Sequence, residues 1–169
     1  MYSYEVRSLA SFGWPHGLGK GDYPELRDAM KNHLGTEYND PAANHRAFST
    51  DARYREIAER WLTEADWSAT IVEVVTAATA IAHEIPLLGQ PVEADQWITH
   101  TKTYLQQHGI AYDARGHGGP YVAGDYLQQP MSFSAQNDYM DDGRHRLTYL
   151  RLMERIGAGP SEILVKIEL

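Results

Sequence analysis

The residues of this chain best placed to do chemistry sit near its end, in Asp141-Asp142-Gly143-Arg144-His145-Arg146-Leu147, after Ser132-Phe133-Ser134-Ala135 and a short polar loop. Arg144 and Arg146 are fixed cationic donors, Asp142 is an acceptor, and His145 is either one near neutral pH. The pattern predicts a strand, then a glycine-bearing loop, then the first turn of a helix. A helix start leaves its first backbone N–H groups unpaired and carries the positive end of the helix dipole, which suits a phosphate or carboxylate. Gly143 lets the backbone approach a ligand closely or adopt positive φ. The same residues also fit an ordinary helix start, with Asp141 or Asp142 as the cap and the arginines exposed.

A second candidate stretch is Ser11-Phe12-Gly13-Trp14-Pro15-His16-Gly17-Leu18-Gly19-Lys20-Gly21, whose glycines and proline forbid regular structure. It is not a phosphate-binding P-loop: that spacing requires glycine at Trp14 and Ser or Thr at Gly21. It is either a ligand-facing loop or a plain connection. His16, Gly17, Lys20 and Arg27, with Arg46, could join residues 143–146 in an anion-binding constellation, because loops that follow successive strands of a layered α/β domain meet at one edge.

The elements that must position these residues are legible in outline. Tyr2, Tyr4 and Val6 alternate with Ser3, Glu5 and Arg7, a strand pattern, and Ile163–Ile167 reads as a final buried strand. A short helix is predicted from Pro24 through Leu26, Met30 and Leu34, and Asn39-Asp40-Pro41 reads as a turn. Ser49, Thr50 and Asp51 compete to cap a helix through Tyr54, Ile57, Ala58, Trp61 and Leu62. Further helices are expected from about Ser68 along the apolar face of Ile71, Val74, Val75 and Ala78, and from about Glu93 to His108. Residues 112–120 form a glycine-rich loop carrying His117, and the last helix presents Leu147, Leu150, Met153 and Ile156. The expectation is a single layered α/β domain over 1–169, a central mixed sheet flanked by helices.

The 169 residues include 15 Lys and Arg against 23 Asp and Glu, a net charge of −8 that disfavours broad binding to nucleic acid or anionic membrane. No cysteine is present, which excludes disulfides, thiolate metal ligands and a sulfur nucleophile. The eight histidines are scattered, with no i, i+4 pair on a helix and no Gly-x-Ser-x-Gly elbow, so neither a metal site nor a cofactor is expected. The opening Met-Tyr-Ser-Tyr-Glu-Val-Arg lacks the pattern of a signal peptide, and the expected location is the cytoplasm.

The order of motifs resembles the C-terminal domain family of RapZ, the bacterial RNase adapter. That family's Ser-Phe-Gly-x-x-His-Gly loop matches Ser11-Phe12-Gly13-Trp14-Pro15-His16-Gly17. Its Asn-Pro matches around Asn39-Asp40-Pro41, and its segment before a helix matches Arg46–Asp51. Its Thr-Gly-Gly-Lys-His-Arg-Ser matches Asp141–Leu147. The resemblance implies an α/β regulatory domain that binds a phosphorylated sugar or similar anion. It points first to Gly143, His145 and Arg146, then to His16 and Gly17, and it implies contacts with RNA or a protein partner and leaves self-assembly open. Asp141-Asp142 stands where the family has Thr-Gly, placing negative charge where a phosphate would lie. Pro15 and Ala42 replace a lysine and a histidine. The helix start and terminal strand also resemble ParB-like and sulfiredoxin-like domains, which implies a nucleotide-binding enzyme instead; in that reading the arginines would clamp a nucleotide's phosphates while Asp141 or Asp142 holds magnesium or acts as a base.

Overall fold

In the computed structural model, residues 1–19, 21, 23–110, 122–134 and 139–169 are described, with the backbone alone for Tyr139 and Asp141. The alternating N-terminal stretch forms β1 (Tyr2–Ser8), which pairs antiparallel with both β2 (Pro91–Val92) and β5 (Glu162–Glu168). β5 runs parallel to β3 (Ser132–Ser134), and β3 runs antiparallel to β4 (Tyr139–Asp142). Among the described residues the result is a five-stranded mixed sheet in the order β2-β1-β5-β3-β4. β1 and β4 therefore point the same way. Their C-terminal ends, which release the 9–23 connection and Gly143, lie at one end of the sheet.

Around the sheet stand α1 (Pro24–Leu34), α2 (Pro41–Thr50), α3 (Ala52–Thr63), α4 (Ser68–Ala82), α5 (Ala94–Gln107), α6 (Ala123–Gln128) and α7 (Arg144–Arg155). This is an α/β fold, as the alternation of strand and helix signals predicts. Tyr4 stacks on Trp97 of α5 with ring centroids 4.1 Å apart, and the Trp97 indole N–H donates to the Leu127 carbonyl. β3 pairs with β5 only from Lys166 onward. Beyond it the bare edge of β5 is closed by side chains: the Leu164 N–H donates to the Thr79 hydroxyl, and the Tyr126 hydroxyl donates to the Leu164 carbonyl.

Three local expectations change. Asn39-Asp40-Pro41 is more than a turn, because the Asp40 carboxylate accepts from Ala42 and Ala43 and Pro41 opens α2. That helix buries only Ala43, Asn44, Ala47 and Phe48, too small an apolar face to announce itself in the sequence. The polar loop before residue 143 includes the strand β4. α7 ends at Arg155, which leaves Ile156 69% exposed instead of on the core face. Asp51 prevails among the competing caps by accepting from Arg53 and Tyr54. Among the described residues no single helix is long and apolar enough to cross a membrane.

Candidate ligand-binding site

After β1, residues 12–19 form a loop whose carbonyl oxygens are held from several elements. Arg151 of α7 donates to Phe12 O and places its guanidinium 4.2 Å from the centroid of the Trp14 ring. The Asn44 amide donates to Pro15 O at 2.9 Å and, more weakly, to Trp14 O at 3.4 Å, while its Oδ1 accepts from the Tyr54 hydroxyl at 3.0 Å. Tyr38 donates to Leu18 O. Trp14 also stacks on Phe48, with centroids 4.6 Å apart. Burial, with a smaller contribution from Tyr38, pushes the Tyr54 phenol upward, so it stays a neutral donor to Asn44. Burial likewise depresses Arg151 below the usual arginine value.

The helix start is built around Gly143, which takes φ 95° as the N-cap of α7 with no side-chain cap. A Cβ there would lie 2.4 Å from Met131 Cγ, so this backbone path admits only glycine. Asp142 is not the cap. Its carboxylate pairs with Arg146 at 2.8 Å, and the Arg146 side chain is 8% exposed. His145 Nε2 accepts the Gly19 N–H at 2.9 Å, and its ring tilts against Tyr23. Arg144 turns the other way, donating over 3.4–3.5 Å to Met140 O and His16 O.

The expected constellation is therefore split. Arg144 and His16 line a cavity of about 500 Å³ together with Arg7, Phe12, Phe133 and Met140. Gly17 and Gly19 are buried in the loop, and Gly19 rests on the first turn of α1, where a Cβ would meet the Arg27 backbone. The Arg27 side chain pairs with Asp28 at 3.0 Å, and the exposed Arg46 lies 3.8 Å from Glu37, so neither joins the cavity. Lys20, His117 and the 112–120 loop lie outside the described residues. Among the described residues no three His, Asp or Glu side chains are grouped to hold a metal ion. Of the two acidic residues considered as a base or magnesium ligand, Asp142 has its Oδ2 engaged by Arg146 at 2.8 Å.

The structure adds residues that motif reading passes over. Arg7 reaches the cavity from β1 while bonded to Glu5 at 2.9 Å. The strand pairing puts Arg7, Phe133 and Met140 on one sheet face. The polar half of the β1 alternation was the available signal for Arg7. Asn44 and Arg151 had none, since each acts by gripping a distant loop. The fold and site define an α/β domain with a cavity walled by aromatic rings and lined by two arginines. No family model matches the chain, and no curated protein or solved structure matches it either.

Proposed function

We propose that this chain is a ligand-sensing domain that binds an anionic small molecule in the cavity between the 11–16 loop and the start of α7. The observation that carries this is the placement of Arg7 and Arg144, from opposite ends of the sequence, on one cavity of about 500 Å³. That size is typical of small-molecule sites, and guanidinium groups are the usual partners of carboxylates and phosphates. The loop that forms one wall is held before any ligand arrives, which lowers the ordering cost of binding. The resemblance to RapZ C-terminal domains supports a regulatory output through a partner, and the net charge of −8 favours a protein over RNA in that role.

The test is thermal unfolding at constant ionic strength with phosphate esters, nucleotides and carboxylates. At least one anion should raise the melting temperature of the native chain and fail to do so in the Arg7→Met/Arg144→Met double variant. If no anion does so, the domain is not a sensor of this kind.

A further inference from the structure

We infer that Arg7 is the residue that grips the ligand, end-on through Nη1 and Nη2, and that Glu5 is the positioning residue that aims it at an oxyanion with two oxygens on one carbon or phosphorus. This rests on the anion-binding function above and deepens it, from a charged cavity to a defined contact. The first ground is the pairing on β1. Strand alternation puts residues 5 and 7 on the same face of the sheet, and Arg7 Nε donates to Glu5 Oε2 at 2.9 Å. Among the described residues this is the one bond that the Arg7 side chain makes, so Nη1 and Nη2 keep their donors. A guanidinium held at Nε still presents those two nitrogens as a planar fork, matched to two oxygens of a carboxylate or phosphoryl group.

The second ground is that the two arginines are used differently. Arg144 directs donors to the Met140 and His16 carbonyls at 3.4–3.5 Å, and so ties β4 to the loop. Arg7 lines the same cavity but is bonded to its strand neighbour. The third ground is preorganisation. An arginine loses much rotamer freedom when it grips a ligand, and one whose Nε is already bonded has given up part of that freedom beforehand. Glu5 is outside the cavity lining, so it acts through Arg7. The side chains are 38% and 32% exposed, so the pair adds little stability, and its geometry is what serves the site.

The experiment follows the arginine Nε–H and backbone amide signals by NMR while inorganic phosphate or acetate replaces chloride at constant ionic strength. Both oxyanions should move the Arg7 Nε–H signal, identified by its loss in Arg7→Lys, and chloride should not. Arg7→Lys keeps the charge without the fork, and the Gly13 amide should report phosphate binding about tenfold weaker. Glu5→Gln, whose Oε1 still accepts from Nε, should bind phosphate at least as tightly as the native chain. Glu5→Ala should bind it about threefold or more weakly, although it too removes a negative charge. Should Arg7→Lys fold poorly, the two Glu5 variants still decide. If Glu5→Ala strengthens binding as Glu5→Gln does, Glu5 acts by charge alone and its positioning role is overturned. Shifts at Gly13 without any at Arg7 overturn the Arg7 contact while leaving anion binding intact. If neither oxyanion moves any signal of the cavity, the sensor function itself falls.

Discussion

His145 Nε2 accepts the backbone N–H of Gly19 at 2.9 Å, a bond between residues 126 positions apart in the chain. A backbone N–H can only donate, so the bonded ring is neutral and carries its proton on Nδ1. Gly19 is buried, and removing the acceptor strands its N–H away from water. His145→Ala should cost about 1–3 kcal/mol in urea denaturation. His145→Gln, which can offer Oε1 near the same point, should recover part of the loss. Equal stability of the alanine variant and the native chain would show the contact to be incidental.

Gly143 gives a second prediction. Alanine there combines positive-φ strain of about 1–2 kcal/mol with overpacking of about 1–3 kcal/mol against the fully buried Met131. Gly143→Ala should therefore destabilise by about 2–5 kcal/mol, and Met131→Ala alone by a similar amount. The double variant should lose clearly less than the sum, because the smaller side chain removes the collision. Strict additivity would mean the clash is not where the cost lies.

Asn44 is 2% exposed and serves the loop and α3 at once. Asn44→Leu keeps the volume and abolishes the hydrogen bonds, at about 1–3 kcal/mol for each buried group left unpaired. Amide hydrogen exchange across 11–19 should quicken in this variant relative to the native chain, while that of β5 changes far less. Tyr54→Phe, which removes only the bond to Asn44 Oδ1, should give a milder version of both effects.

Acid stability should depend on Asp51. The His33 hydrogen bond holds its carboxyl below the ordinary value of 3.8; burial opposes this, and the Tyr54 and Arg53 backbone N–H groups assist. A carboxyl whose folded-state pKa is depressed contributes stability that is complete above its unfolded value and is lost as pH falls through the folded one. Thermal scans between about pH 5 and pH 2 should show a steeper fall for the native chain than for Asp51→Asn. Parallel curves would assign the acid sensitivity to other carboxylates.

How much of this was legible in the sequence follows from which signals are local. The β1 alternation, the apolar face of α4 and the Asp51 cap are short-range patterns, and they appear where expected. Arg144, His145 and Arg146 look like one cluster when written in a line. Successive residues of a helix project about 100° apart, so three in a row cannot converge on a ligand. Arg144 turns to the cavity, His145 to Gly19 and Arg146 back to Asp142. The cavity's other arginine, Arg7, sits on β1 at the far end of the chain, and no spacing rule connects the two.

The anchors of the 11–19 loop have a mechanical consequence. They come from the turn before α2 through Tyr38, from α2 through Asn44, and from α7 through Arg144 and His145 at its start and Arg151 two turns on. Such a loop cannot yield at one point alone. A small displacement of its Phe12–Pro15 wall pulls on α2 and on α7 together, and a push on either helix is transmitted to the wall. Any rearrangement of that wall must therefore break bonds to both helices or carry both helices with it.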